Sequence, residues 1–264
     1  MEASKVGVFR RRINPDATMR VFCLPYAGGS STIFYRWSEY VSPAIEVCSV
    51  QLPGREGRLT MPPYTSMRPL VQAVRNALLP FLDRPYLLFG HSLGALIAFE
   101  LARDLRACGA QRPLSLLVSA ASAPHVARAS DKLHTLPDDK LIRQLSLLQG
   151  TRQEILQHPE IMQLLLPTIR ADLQVFETYT YKDGPPLPCS IAVFGGIDDE
   201  RVSPSGLENW REHTRRQFSL TMLPGDHFFI HSACRLLVDR IGAHAETVLE
   251  EVLVGEDCTA IEPL

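Results

Sequence analysis

The sequence has no long apolar run, no block of basic residues and no closely spaced pair of cysteines. A membrane-spanning helix needs about 18 consecutive apolar residues, and no run approaches that length, so we expect no membrane segment. The net charge is −2 and the basic residues are dispersed, which argues against a nucleic acid partner. Arg10-Arg11-Arg12 lacks the apolar run that follows the basic start of a signal peptide, so we expect a cytoplasmic protein.

The six cysteines are scattered along the chain without a C-x-x-C spacing. Three of them, Cys23, Cys48 and Cys189, fall in predicted strands, where a free thiol behaves as a small buried apolar side chain. This placement favours reduced thiols in the core over a disulfide framework or a zinc site. We therefore expect neither a bound metal nor a cofactor.

What the sequence does contain is an alternation of short apolar runs and amphipathic helical patterns. The helical spacing is clearest over 67–82, where apolar residues recur three and four positions apart. This alternation predicts an α/β fold with a mostly parallel central sheet and helices on both faces. We expect one domain over 1–264. The predicted strands are 20–24, 46–52, 86–89, 114–119, 190–194 and 219–223.

The alternation stops between about 131 and 181, where no strand is predicted. Helical patterns begin at Pro137-Asp138 and continue through 155–156, 161–166 and 169–181. We expect this helical insertion to form a lid over the carboxyl ends of the strands. An extra packing layer with no gating role is the alternative.

Gly90-His91-Ser92-Leu93-Gly94 lies between the predicted strand 86–89 and a helical stretch that begins at Ala95. A G-x-S-x-G pentapeptide in this setting is typical of the nucleophile elbow of α/β-hydrolases. The turn is so tight that a side chain at position 90 or 94 would collide with a neighbouring strand or helix. The strained serine backbone projects the hydroxyl at the top of the sheet, so Ser92 is the predicted nucleophile.

A serine hydroxyl needs a base within hydrogen-bond reach, and the base needs a carboxylate that fixes its tautomer. In this fold the chain order is serine, acid, histidine, with the last two on loops after later strands. His227 follows the last predicted strand and is the expected base. His91 is part of the elbow, and His231 lies about one turn into the next helix, which makes it the weaker candidate.

Two adjacent carboxylates, Asp198 and Asp199, follow the predicted strand 190–194. A G-x-x-D-x-x-V spacing runs from Gly196 through Asp199 to Val202 and favours Asp199 as the acid. Asp198 is the alternative, and the carboxylate that is not the acid is expected to lie on the surface or in a turn.

An oxyanion needs N–H donors that are already in place before the reaction. One is expected from the backbone of Leu93, directly after the nucleophile. The other is expected from the loop 24–31 after an early strand, where glycines let the backbone approach a substrate. Ala27 is the preferred donor and Tyr26 the alternative. A phosphate-cradling loop is the competing interpretation of Gly28-Gly29, but no G-K-[ST] follows.

Six segments stand in order along the chain: L-P-Y-A-G-G-S at 24–30, L-P-G-R-E at 52–56, G-H-S-L-G at 90–94, L-L-P-T-I-R-A-D at 165–172, G-G-I-D-D-E-R-V at 195–202 with Trp210-Arg211, and P-G-D-H-F-F at 224–229. Together they resemble the type II thioesterases of polyketide and nonribosomal peptide assembly lines. The resemblance extends over almost the whole chain and implies the triad Ser92, Asp199 and His227. Glu200 stands where the family often has proline, which leaves the choice between the two aspartates open.

The resemblance implies a hydrolase that removes acyl groups stranded as thioesters on the phosphopantetheine arm of carrier proteins. An acyl or peptidyl carrier protein is then the expected partner, phosphopantetheine is part of the substrate, and we expect a monomer. The medium-chain thioesterase of animal fatty acid synthesis belongs to the same family. The residues Tyr26-Ala27-Gly28-Gly29 and the match over six segments favour assembly-line editing. Apolar residues of the insertion are candidates to shape an acyl groove, although a place in the helix core is favoured for most of them: Leu147, Leu148, Ile161, Leu164 and Leu165.

Three other classes of protein share parts of this pattern. A malonyl-type acyltransferase also uses G-H-S-x-G, but we expect it to have glutamate where this chain has Ala95 and to lack the acid loop. A general esterase or lipase shares the triad but not the 52–56 segment. A noncatalytic α/β-hydrolase that acts as a binding module is the alternative from another class, and an intact set of Ser92, Asp199 and His227 argues against it.

Overall fold

A seven-stranded sheet forms the centre of the computed structural model, which describes residues 5–127, 132–148 and 156–259, with side chains to Glu251. The strand order is β1-β3-β2-β4-β5-β6-β7. All neighbouring strands are parallel except β1, which pairs antiparallel with β3. The strands are β1 Gly7–Phe9, β2 Met19–Leu24, β3 Ile45–Gln51, β4 Tyr86–His91, β5 Ser115–Ser119, β6 Ser190–Gly196 and β7 Phe218–Leu223.

The predicted α/β fold with a mostly parallel sheet is confirmed, and each predicted strand lies within two residues of its observed bounds. The sequence pattern does not predict β1, because three residues at a sheet edge are too few to show an alternating pattern. Two strands extend beyond their predicted ends, β4 to His91 and β6 to Gly196. In both places the chain therefore stays extended up to the residues predicted to be functional.

Helices pack on both faces of this sheet, and consecutive strand residues alternate between the two cores. In β4, Leu88 joins the core with α1 and α2, whereas Phe89 joins the core with α7. In the described ranges no helix is long and apolar enough to cross a membrane. The α-helices in the described ranges are α1 Met67–Leu78, α2 Leu93–Ala107, α3 Asp138–Leu148, α4 Pro159–Glu177, α5 Pro204–Glu208, α6 Phe229–Ser232 and α7 Cys234–Thr259. The 3-10 helices in the same ranges are Ser31–Glu39, Glu56–Arg58, Leu79–Phe81, Leu133–Thr135 and Asn209–His213.

The insertion over 131–181 is helical and contains no strand in its described residues. Residues 131 and 155, where the insertion and one of its helical patterns are predicted to begin, lie outside the described ranges. The patterns at 161–166 and 169–181 belong to one helix, α4, which ends at Glu177. Helices α3 and α4 share a small core of their own, formed by Leu141, Leu145, Met162, Leu166, Ile169 and Leu173.

Three apolar side chains of the insertion point to solvent instead of into this core. Leu147 is 71% exposed, Ile161 41% and Leu164 59%. The expected place in the helix core is therefore wrong for these three residues. Leu148 and Leu165 are half-buried and pack against the small core.

Candidate active site

The pentapeptide 90–94 forms a tight turn between β4 and α2. Ser92 has φ 53° and ψ −114°, a conformation that an L-residue adopts only under strain. A Cβ on Gly90 would lie 2.1 Å from the carbonyl oxygen of Gly94, and one on Gly94 would lie 2.2 Å from that of Leu24. The glycines at both positions are thus required by close backbone contacts, as predicted. The Ser92 side chain is half-buried at the carboxyl end of β4.

Three side chains that are distant in sequence form a hydrogen-bonded chain at this turn. His227 Nε2 lies 3.2 Å from Ser92 Oγ, and His227 Nδ1 lies 2.9 Å from Asp199 Oδ2. His227 is 8% exposed, and the Asp199 carboxylate is covered by protein. Because the ionised carboxylate can only accept, Nδ1 carries the hydrogen and Nε2 is free to accept the serine hydroxyl proton.

The loop after β6 places the side chains of the two adjacent aspartates in different environments. The second carboxylate oxygen of Asp199, Oδ1, accepts the amides of Arg201 at 2.9 Å and Val202 at 3.3 Å. Asp198 is exposed, and its amide donates to the carbonyl of Gly225. The structure therefore brings Asp199 to His227 and leaves the Asp198 side chain on the surface.

The environment of Asp199 favours its ionised form. Burial opposes ionisation, but the hydrogen bond and the charge interaction with His227, together with the two amides, outweigh it. The pKa of Asp199 is consequently lowered from its usual value. The carboxylate is charged at neutral pH, as required of a group that orients an imidazole and stabilises its protonated form.

His91 has a supporting position that the sequence reasoning did not identify. It is fully buried, its Nε2 donates to the backbone carbonyl of His227 at 2.9 Å, and its Nδ1 accepts from Ser119 Oγ at 2.9 Å. Burial and the nearby His227 lower the pKa of His91 well below its usual value, so the ring is neutral. The signal in the sequence was its place directly before Ser92, at the end of a buried strand.

His231, the weaker candidate base, lies apart from this chain of hydrogen bonds. It belongs to α6, and its Nε2 is 2.8 Å from the hydroxyl of Tyr26. The Tyr26 ring packs edge-on against both His91 and Phe228. Tyr26 and His231 therefore form a hydrogen-bonded pair that packs against the residue before Ser92 and the residue after His227.

The loop after β2 runs past the elbow with two of its amides engaged elsewhere. The Gly28 amide donates to Asp172 Oδ2 at 2.7 Å, and the Gly29 amide donates to the carbonyl of Tyr26 at 2.9 Å. Neither glycine amide is thus available to an oxyanion. Ala27 remains the preferred second donor, with Tyr26 as the alternative and Leu93 at the start of α2 as the first donor.

A groove of about 810 Å³ opens along this loop. Its walls include the loop itself, Leu165 and Ile169 of α4, His231, and the polar side chains of Arg36 and Arg235. Among the described residues, no cluster of three or more His, Cys, Asp or Glu side chains is arranged to hold a metal ion. The hydrogen-bonded serine, histidine and carboxylate lie at the elbow, outside the walls of this groove.

Comparisons with known proteins agree with this architecture. The family model for the thioesterase domain matches residues 19–244. The gramicidin S biosynthesis protein GrsT of Aneurinibacillus migulanus is 45% identical over 84% of this chain and 86% of its own length. The thioesterase RedJ from the prodiginine pathway of Streptomyces coelicolor superposes with a TM-score of 0.82 at 38% identity, over 88% of this chain and 87% of RedJ. The type II thioesterase BorB from the borrelidin cluster has a TM-score of 0.80 at 33% identity, over 90% of this chain and 95% of BorB.

A medium-chain fatty acid synthase thioesterase is a more distant relative. The rat protein is 31% identical over 82% of this chain and 83% of its own length, well below the identity to GrsT. The resemblance to thioesterases in the sequence motifs is confirmed by these comparisons. Because the family model spans most of the chain, the protein belongs to the thioesterase family and is a hydrolase that acts on thioesters.

Proposed function

We propose that this thioesterase hydrolyses acyl groups held on the phosphopantetheine arm of an acyl or peptidyl carrier protein. In doing so it clears blocked carriers of a polyketide or nonribosomal peptide assembly line. The observation that carries the chemistry is the hydrogen-bonded chain from Ser92 Oγ through His227 to Asp199. The higher identity to GrsT than to the rat enzyme supports assembly-line editing over medium-chain fatty acid release.

In the first half of the reaction, Ser92 Oγ attacks the thioester carbonyl carbon while its proton passes to His227 Nε2. The carbonyl oxygen becomes an oxyanion that accepts hydrogen bonds from the amides of Leu93 and Ala27. The carbon–sulfur bond then breaks, and the pantetheine sulfur leaves with the proton from His227. The product is an acyl ester of Ser92, and Asp199 stabilises the imidazolium while it exists.

Water completes the cycle in the second half. His227 takes a proton from a water molecule, whose oxygen attacks the acyl–serine carbonyl, and the same two amides hold the oxyanion. The ester bond breaks, Ser92 Oγ recovers the proton from His227, and the carboxylic acid leaves. One water is consumed for each thioester, and the products are an acid and a carrier thiol.

Helices α3 and α4 form the lid of this site in the proposal. Their separate small core and the place of Leu165 and Ile169 in the groove wall support that role. One domain over 1–264 with an insertion over about 131–181, a monomeric state and a cytoplasmic location remain predictions.

A panel of acyl-carrier and acyl-CoA thioesters of graded chain length, with wild type and Ser92→Ala, tests the proposal. We expect wild type to release free thiol faster from carriers than from CoA, and Ser92→Ala to lose at least about 10³-fold in kcat. A serine-directed fluorophosphonate should label wild type at Ser92. Equal hydrolysis by both proteins would exclude the mechanism, and an unlabelled, inactive wild type would support a noncatalytic binding module.

A further inference from the structure

Two segments singled out by the sequence motifs, 52–56 and 165–172, meet in a buried ion pair that the chemistry above does not use. Arg55 Nη1 lies 2.8 Å from Asp172 Oδ2, and Arg55 Nη2 lies 2.9 Å from Asp172 Oδ1. Arg55 is 3% exposed and Asp172 2%. A planar guanidinium bound through two parallel hydrogen bonds restricts both side chains to one arrangement.

The same two side chains also hold the oxyanion loop. Asp172 Oδ2 accepts the Gly28 amide at 2.7 Å, and Arg55 Nη1 donates to the Gly29 carbonyl at 2.8 Å. Gly28 has φ +76°, so the chain reverses direction directly after Ala27, the preferred oxyanion donor. The ion pair therefore binds the backbone on the residues that immediately follow this donor.

A neighbouring glutamine extends this support along the loop. Gln51 Oε1 accepts the amide of Ser31 at 2.7 Å, while Gln51 Nε2 donates to the Arg55 carbonyl at 3.2 Å. Gln51 and Ser31 are each 1% exposed. Buried side chains thus bind the loop backbone at Gly28, Gly29 and Ser31, in an interior where these hydrogen bonds are shielded from water.

Helix α4 contacts the same segments through residues next to Asp172. Thr168 Oγ1 donates to the Gly54 carbonyl, and Ile169 packs so close to Gly28 that a Cβ there would lie 3.0 Å from Ile169 Cγ1. The oxyanion loop, the 52–56 segment and the lid helix are consequently one connected unit. A shift of α4 would move the loop with it.

We infer that Arg55 and Asp172 are positioning residues that hold the oxyanion loop, and through it the Ala27 amide, in the orientation needed for the transition state. An oxyanion donor lowers the barrier only if it is oriented before the charge develops. A displacement of about 1 Å at such a group can cost about 100-fold in rate. The role presupposes that Ser92 is the nucleophile proposed above.

The test compares Asp172→Asn and the double variant Arg55→Gln/Asp172→Asn with wild type. The double variant removes both charges together, so it leaves no unpaired charge in the interior and keeps the protein foldable. We expect kcat on a pantetheine thioester to fall about 100-fold in both variants, while KM changes less than about threefold. The inhibition constant of an alkyl trifluoromethyl ketone, which forms an oxyanion on serine, should rise by a similar factor.

A second buried ion pair far from the loop provides the matched control. Arg20 Nε lies 2.7 Å from Glu46 Oε2, the residues are 4% and 2% exposed, and they lie at the amino ends of β2 and β3. Glu46→Gln should lower the melting temperature, as Asp172→Asn does, but leave kcat and the ketone inhibition constant unchanged.

The outcomes separate the alternatives. If Asp172→Asn and the double variant keep the wild-type kcat and ketone affinity and lose only stability, the pair is structural and the inference is wrong. A rise in KM at constant kcat would also overturn it, because the pair would then shape the substrate groove. Failure of the proposed function is a different result, namely a wild type that neither hydrolyses the thioester nor reacts with the ketone at Ser92.

Discussion

Two of the side chains proposed for catalysis, Asp199 and His227, are held in orientation by neighbouring groups. The amides of Arg201 and Val202 bind one oxygen of Asp199, so the other oxygen faces His227. His91 Nε2 donates to the backbone carbonyl of His227. A histidine held at both its ring and its backbone has little freedom to leave the hydrogen-bonding distance of Ser92.

At the residue scale, Asp199→Asn should lower kcat by about 10³–10⁴-fold with a small change in KM. The amide nitrogen of asparagine can donate to His227 Nδ1, and the ring hydrogen then lies on Nε2. A protonated Nε2 cannot accept the serine proton. Steady-state kinetics on an acyl thioester measure this effect. Asp198→Asn is the matched control, because its side chain is exposed, and it should keep wild-type kinetics. If Asp198→Asn lost kcat and Asp199→Asn kept it, the acid would be Asp198.

At the scale of elements, the turn between β4 and α2 works because backbone approaches backbone without intervening side chains. Gly196 plays a similar part between the acid and histidine loops, since a Cβ there would lie 2.4 Å from the carbonyl oxygen of Asp226. Flexible side chains can move away from a clash, but backbone that is fixed by the packing of strands and helices cannot. These positions therefore tolerate glycine alone.

We expect Gly94→Ala to destabilise the protein by about 2–3 kcal/mol and to lower activity in parallel, because its Cβ would overlap the carbonyl group of Leu24. Urea unfolding measures the change in the free energy of unfolding, and kcat on a thioester measures the change in activity. Gly57→Ala serves as the control, since a Cβ there meets nothing within 4 Å, and it should change stability by less than about 0.5 kcal/mol. Equal stability of the two variants would contradict the packing argument.

At the scale of the whole molecule, the parallel sheet places the functional loops together. The carboxyl ends of β2, β4, β6 and β7 lie at one edge, because all four strands run in the same direction. The same packing buries histidines that have no part in the proposed chemistry. His213 packs edge-on against Trp210 and is hydrogen-bonded to His125, and His244 is hydrogen-bonded to the hydroxyl of Ser115.

Three histidines, His91 and His213 in the interior and the half-buried His244, predict a loss of stability in mild acid. Burial lowers the pKa of His213 to about 4, with His125 and Arg103 acting in the same direction, and burial also lowers the pKa of His91 and His244. In the unfolded chain these three histidines bind protons from about pH 6.5 downward, whereas in the folded chain they bind them only at lower pH. The free energy of unfolding therefore falls as pH drops below about 6.5.

Urea unfolding at several values between pH 7 and pH 4 measures this slope. His213→Asn should flatten it by up to about 1.4 kcal/mol per pH unit, the value for one proton, whatever its effect at pH 7. The exposed His158→Asn is the control and should leave the slope unchanged. An unchanged slope in His213→Asn would show that other groups cause the acid sensitivity.

Much of the fold follows from local patterns. Buried strands and amphipathic helices each repeat a simple spacing, and the elbow needs glycines at fixed positions, so these features are visible in a few consecutive residues. The edge strand β1 lacks such a pattern. The exposure of Leu147, Ile161 and Leu164 depends on which neighbours cover α3 and α4, which an apolar spacing does not specify.

The sequence by itself determined the α/β class and the candidates for nucleophile and base. It also limited the candidates for the acid to two adjacent aspartates. Only the tertiary structure decided which carboxylate contacts His227, because two neighbouring side chains point in directions set by the loop as a whole. It also brought Arg55 to Asp172, 117 positions later in the chain, and joined both to the oxyanion loop. Such contacts depend on strand order and helix packing, and neither residue carries a local sign of its partner.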